Sequence, residues 1–245
     1  MQLATVTTRT QSGLHAPLVR VEVHVSAGLP SLSISGLVET AIKESRDRVC
    51  AAIRNSGMTV PDGRIVVSLA PADLPKSGSR FDLPIALGIL AASGQLPIDS
   101  LRNTEFFGEL GLSGALQSVP ALMPSVMQSV RDDIRVIAPL KSAHQLALLD
   151  SVNILFAENL IDVVRILHGG QGMSFADIDL SSFAAASKKV SQLEDFSDVA
   201  GQYQAKRAML IAAAGDHNIL MSGSPGTGKS MLARRLPGLL PELSK

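Results

Sequence analysis

The chain has 245 residues, of which 46% are apolar and 18% charged, enough for one large or two modest cores and inconsistent with a disordered polymer. Lysine plus arginine (22) balances aspartate plus glutamate (22), and aromatic residues make up 3%, so neither a global field nor a stacking platform draws the chain to nucleic acid. A single cysteine excludes an internal disulfide framework.

In chain order, residues 2–9 and 18–27 alternate apolar and β-branched side chains (Leu18, Val19, Val21, Val23, Val25) and predict strands, with a third over Pro30 to Gly36. Glu39 to Asn55 predicts a helix with Ile42, Val49 and Ile53 as its apolar stripe and Gly57 as its stop. Cys50 lies in this helix and reads as a small buried hydrophobe. Arg64 to Leu69 predicts a buried strand, and Leu83 to Ala92 a helix so apolar that it belongs at the centre of the core. Phe106 to Leu116 suggests a Gly-rich hairpin. Helix-like Ala121–Val130, strand-like Arg135–Ala138, helix-like Ala143–Leu149, strand-like Asn153–Phe156 and helix-like Leu160–His168 follow.

A strand-rich first half and an alternating second half predict an α+β domain over residues 1–168. Residues 169–194 lose periodicity and read as a linker, and residues 195–245 as a second domain. The start, Met1-Gln-Leu-Ala-Thr, lacks a signal-peptide layout, and apolar runs such as Leu83 to Ser93 are about half a membrane span. A soluble, cytoplasmic chain with no membrane partner is expected.

In the second domain a helix over Gln204 to Ala214 precedes a short β-capable run, His217 to Met221, and then Gly223-Ser224-Pro225-Gly226-Thr227-Gly228-Lys229-Ser230. A helix over Ser230 to Leu236 follows, ended by Pro237-Gly238. This is a Walker A pattern in its strand–loop–helix setting, and chance gives such a match in about 1% of chains this long. The three glycines permit backbone angles that turn successive N–H groups inward onto phosphate oxygens, and the next helix adds its N-terminal partial charge. Lys229 would reach the β- and γ-phosphates and Ser230 would hold Mg²⁺, so the expected cofactors are ATP and Mg²⁺. An ATPase also needs an acidic residue on a second strand. No apolar run ending in Asp-Glu follows Ser230, so turnover by this chain alone is not expected. The apolar segments of residues 203–245 are expected to be locally unstable or to rest on the first domain.

Asp195-Phe196-Ser197-Asp198-Val199-Ala200-Gly201-Gln202, Ala205-Lys206-Arg207-Ala208 and Ala212 to Asn218, with the loop, resemble the magnesium-chelatase-like AAA+ proteins of the ComM/YifB type. Gly36-Leu37, Ala41 to Val49 and Leu69 to Lys76 fit the same family, so the resemblance covers nearly the whole chain. It implies a Lon-protease-like (ribosomal S5 domain 2-like) first domain and the start of an α/β P-loop AAA+ domain. It also implies a hexamer in the full-length protein, DNA as partner, and a motor that migrates branched DNA in natural transformation. Val199, Gly201 and Gln202 would then lie by the adenine.

Lon-type proteases carry a serine nucleophile and a lysine. The corresponding run here, Pro75 to Asp82, puts Arg80 at the nucleophile's position with Ser79 one place early, and Met123 falls where the lysine belongs. An arginine stays protonated and a thioether accepts no proton, so a non-proteolytic domain is expected. Asp73, Lys76, Arg80 and Asp82 read as a solvated or intersubunit charge set, and Arg234 and Arg235 as the exposed face of their helix. Four functions stay open: a DNA-remodelling ATPase, a chelatase-like metal-insertion subunit, a Ser/Lys peptidase, and a non-enzymatic interaction module.

Overall fold

The computed structural model describes residues 3–12, 15–36, 40–76, 78–149, 153–179 and 194–240. The chain divides into two compact units, Met1–Leu180 and Ser181–Lys245.

In the first unit the strands are β1 (Leu3–Arg9), β2 (Leu18–Ser26), β3 (Ser31–Ser35), β4 (Arg64–Ala70), β5 (Thr104–Phe106), β6 (Glu109–Leu110), β7 (Leu116–Gln117), β8 (Arg135–Pro139) and β9 (Ile154–Ala157). The helices are α1 (Thr40–Asn55), α2 (Asp82–Ala92), α3 (Leu122–Arg131), α4 (Ala143–Leu146) and α5 (Leu160–Leu167). Seven strands form one mixed sheet in the order β3-β4-β2-β1-β5-β8-β9, and β6 and β7 form a separate hairpin. Pairing is antiparallel for β1–β2 and β2–β4, and parallel for β3–β4, β1–β5, β5–β8 and β8–β9. A mixed sheet with helices packed on it agrees with the α+β class.

The two halves of the sheet bury their residues differently. In β2, Val19, Val21 and Val23 are buried while Arg20 and His24 face solvent, the alternation of a sheet covered on one side. In β8, four consecutive residues are buried: Ile137 joins the core containing α2 and α5, while Val136 and Ala138 join a second core with α3 and α4. Helices therefore cover the parallel half on both faces, as parallel strands require.

Every residue of α2 is buried, so this helix has no solvent face. It lies against β1 and β2, with α1 and the β6 edge also packed on it. Gly88 permits the close approach, because a Cβ there would lie 2.4 Å from Val23 Cγ2. In α1, Val49 and Ile53 are buried as their spacing predicts. The side chain of Ile42 lies outside the described residues. Cys50 is half-buried and lines a surface cleft with Arg46 and Arg54; burial pushes its thiol pKa up.

Several expected elements differ. The strand preceding the hairpin, β5, belongs to the main sheet, and the hairpin itself is β6–β7. The helix expected to Leu149 keeps α-geometry only to Leu146 and tightens to a 3₁₀ turn. The described residues 169–179, expected as linker, pack on the first unit: the Phe156 N–H donates to Met173 O at 2.7 Å, and the Phe156 and Phe175 rings meet edge-on at 4.8 Å.

Buried charges tie the layers together. Arg9 on β1 forms a two-pronged pair with Glu105 on β5 (2.7 and 2.9 Å) and reaches Asp132 after α3 at 2.6 Å. Ser129 of α3 donates to the same Glu105 carboxylate.

Two substitutions test this packing. Glu105→Gln leaves Arg9 buried beside Asp132 alone and is expected to lower urea-unfolding stability by about 3–5 kcal/mol. A loss within measurement error would show that the network contributes nothing. Gly88→Ala is expected to destabilise by about 1–3 kcal/mol despite alanine's better helix propensity, because the β-branched Val23 is stiff. A gain in stability would show that the helix–sheet contact yields.

Candidate phosphate loop and the turn carrying Ser79

Among the described residues the second unit has two α-helices, α6 (Tyr203–Ala214) and α7 (Lys229–Arg235), the latter continued by a 3₁₀ turn over Leu236–Leu239. Their core is small: Phe196, Val199, Met209 and Leu232 are its buried members. Two cationic side chains fasten it. The Lys206 ammonium donates to Val199 O, and the Arg235 guanidinium donates to Asp195 O at 3.0 Å and pairs with Glu194 at 2.8 Å. Arg235 therefore anchors α7 to the segment before α6, contrary to the expectation of a freely exposed side chain. Its guanidinium side chain is 11% exposed.

Ile219 to Ser222 run in irregular coil, so the strand expected over His217–Met221 is not formed. A strand is defined by its partner, and no described strand lies beside this segment; Leu220 is 93% exposed. The loop itself has the backbone that its glycines permit, with φ of +153° at Gly223, +82° at Gly226 and +85° at Gly228. Thr227 Oγ1 donates to Ser224 O at 3.0 Å and closes the turn. The Lys229 ammonium lies across the loop, donating to Gly223 O (2.9 Å), Ser224 O (2.7 Å) and Thr227 Oγ1 (3.3 Å).

Beside the loop lies a cavity of about 720 Å³. Of the residues singled out from sequence, Gly223, Ser224, Thr227, Lys229 and Gln202 line it, and the Gln202 amide donates to Thr227 O at 3.3 Å. Pro225, Gly226, Gly228 and Ser230 complete the loop and the first turn of α7 without lining the cavity. Val199 is in the small core, 3% exposed, and neither it nor Gly201 is on the cavity wall. The apolar wall was not anticipated: Ala205 and Ala208 of α6, with Ile219, Met221 and Leu232. The i, i+3 spacing of the two alanines was the available signal.

In the first unit the run from Pro75 to Asp82 corrects the reading of a solvated charge set. Asp73 is exposed, but Lys76, Arg80 and Asp82 are all buried. Lys76 donates to Pro71 O and, at 2.7 Å, to Leu74 O. Arg80 donates to Pro120 O at 2.6 Å, and Asp82 pairs with Arg48 at 3.0 Å. Burial raises the Asp82 carboxyl above its ordinary value, and the Arg48 hydrogen bond opposes the shift. The Ser79 hydroxyl donates to Glu109. Met123 packs against the core around Phe107. The serine thus meets a carboxylate, and the lysine of this segment is turned onto backbone carbonyls. Ser77 lies outside the described residues.

Among the described residues no group of three or more His, Cys, Asp or Glu side chains is arranged to hold a metal ion. A Mg²⁺ ion at the loop would therefore depend on ligand phosphates, as that ion commonly does.

Two family models match, each within one unit: the model described as subunit ChlI of Mg-chelatase over residues 21–142, and magnesium chelatase, subunit ChlI, over residues 195–245. The competence protein ComM of Haemophilus influenzae is 45% identical over 244 residues, covering 100% of this chain and 48% of that protein. The uncharacterized protein YifB of Escherichia coli is 45% identical over 244 residues, 47% of its length. An uncharacterized protein of Mycobacterium tuberculosis is 37% identical over 233 residues, covering 95% of this chain and 45% of that protein. The chain spans about half the length of these curated relatives. With matches in both units and unbroken similarity between them, the chain belongs to the magnesium-chelatase-like family of the ComM/YifB type.

Proposed function

We propose that this chain is the nucleotide-binding portion of a larger magnesium-chelatase-like AAA+ ATPase that works on branched DNA in the uptake of transforming DNA. The observation carrying the nucleotide reading is the loop of Gly223 to Ser230, with three positive-φ glycines, an ammonium across it and a cavity alongside. At about 720 Å³ the cavity falls in the range of small-molecule sites, roughly 300–1,000 Å³. Its alanine, isoleucine and methionine wall suits the apolar faces of a nucleobase, and its loop suits phosphates.

In this reading the Lys229 ammonium exchanges two carbonyl partners for phosphate oxygens, to which charge-assisted hydrogen bonds are about twice as strong. The loop N–H groups line the same oxygens, and the Ser230 hydroxyl holds Mg²⁺. ATP supplies the phosphoanhydride whose hydrolysis drives the motor. This chain's residues bind and orient it.

The DNA role rests on 45% identity to a protein named for competence, and hexamer formation rests on the same family reading. The first unit is proposed to be Lon-protease-like and non-proteolytic, supported by the pairing of Ser79 with a carboxylate and by the packing of Met123 against the core. A cytoplasmic location accords with the finding that no described helix is long and apolar enough to cross a membrane. The family descriptions favour a second reading, a metal-insertion subunit. Co-purification with a large porphyrin-binding partner would select it.

Lys229→Ala tests the nucleotide site. Affinity for a fluorescent ATP analogue in Mg²⁺ is expected to fall about 10- to 100-fold, the equivalent of one or two charged hydrogen bonds, with the urea midpoint of the first unit unchanged. Equal affinity in variant and parent would refute the assignment of the loop.

A further inference from the structure

Among the described residues three buried polar side-chain atoms have no hydrogen-bond partner: Thr8 Oγ1, Ser125 Oγ and Arg80 Nη1. Two are neutral hydroxyls, each a modest defect. The third belongs to a permanent cation, since a guanidinium cannot shed its proton in a protein. Arg80 is 6% exposed, and its bond to Pro120 O supplies a dipole rather than a counter-charge. No salt bridge to a described residue reaches it.

The carboxylates of the same region are committed elsewhere. Asp82 is held by Arg48 at 3.0 Å and by the Leu110 N–H at 3.4 Å, and Glu109 accepts the Ser79 hydroxyl. Four residues before Arg80, the fully buried Lys76 ammonium also rests on carbonyls. The start of α2 offers no counter-charge, because a helix N-terminus is itself partly positive; its Asp82 N–H donates to Ser79 O and its Leu83 N–H to Gly108 O. The turn thus carries two buried cations: Lys76 has the exposed Asp73 carboxylate within electrostatic range, while no described carboxylate acts on Arg80. Buried ions cost several kcal/mol unless paired, and a partner is missing here in a single sense, negative charge.

Access is short. Pro120, the one described residue bonded to the guanidinium, is itself exposed, and Ser79 and Ala121 are half-buried. The carbonyl occupies Nη2 and leaves Nη1 without a partner; the atom is enclosed, so an anion meets it only when the exposed turn at Pro120 moves aside, and a guanidinium fork then suits a carboxylate or phosphate.

We infer that the turn carrying Arg80 is an oxyanion-binding site, in which Nη1 takes a phosphate or carboxylate group arriving past Pro120. The shared chemistry is a single oxyanion group, and the two arms of the test distinguish phosphate from carboxylate. The site belongs to the first unit and shares no residue with the Lys229 loop of the second.

The test is an NMR titration of the full chain with inorganic phosphate and, in a second arm, with acetate. The Arg80 Nε–H and the Ser79 and Ala121 amides report on this site, and the Gly226 to Lys229 amides report separately on the phosphate loop. A saturable shift of the Arg80, Ser79 and Ala121 signals is expected. A response to phosphate alone assigns a phosphate ligand, to acetate alone a carboxylate ligand, and to both the shared oxyanion chemistry. Arg80→Gln is expected to abolish the shift at Ser79 and Ala121 while the loop response persists, and Arg80→Lys to weaken it. The inference is overturned if neither anion moves these signals, or if Arg80→Gln responds like the parent. Should Arg80→Gln not fold, the parent titration decides alone.

Discussion

Helix α2 must be shielded on every side, and the first unit is built around that requirement. An 11-residue helix whose residues are all buried cannot exist until a sheet lies under it and other elements close over it. The sheet side is β1 and β2, antiparallel and alternating, which present Ala4, Val6, Val19, Val21 and Val23 to the core. Gly88 sets the distance between the two layers. On the other side α1 contributes Val49, Ala52 and Ile53. Its Arg48 also neutralises Asp82, the one ionisable residue that α2 brings inside.

The same constraint shapes the sites. The turn leading into α2 has to pass from β4 at the sheet to a buried helix start, and in doing so it takes Lys76 and Arg80 out of water. Lys76 solves its desolvation with two carbonyls, while Arg80 is only half satisfied. The second unit is the opposite case. Among the described residues its core has four buried members, while Leu210, Ile211 and Leu220 stay well exposed. Its loop therefore owes its shape to local causes: glycine backbone angles, the Thr227 closure and the Lys229 contacts with its own carbonyls.

What could be read from the residues were features that a short stretch of chain decides by itself. Alternation in Leu18 to Val25 announces a strand covered on one face, and unbroken apolarity in Leu83 to Ala92 announces a central helix. The Gly223 to Ser230 loop is local chemistry and keeps its form without a neighbouring strand. What stayed hidden depends on distant partners. His217 to Met221 has strand composition but no strand beside it among the described residues. Thr104–Phe106 is three residues long and carries a glutamate, so nothing announces a sheet strand until Arg9 is placed opposite Glu105. Lys76, Arg80 and Asp82 read as a wet loop because charge normally means solvent, and only the packing of α2 reverses that. Residues 169–179 lack periodicity, yet Met173 and Phe175 find Phe156, a contact that spacing cannot reveal.

Amide hydrogen exchange on the full chain, resolved by peptide, measures the contrast between the two units most directly. The account predicts the slowest exchange in residues 83–92 with β1 and β2, at protection approaching global stability, and fast exchange across residues 203–222. Protection in α6 equal to that in α2 would contradict it, because a core of four buried residues would then be holding its helix as firmly as a complete sheet does.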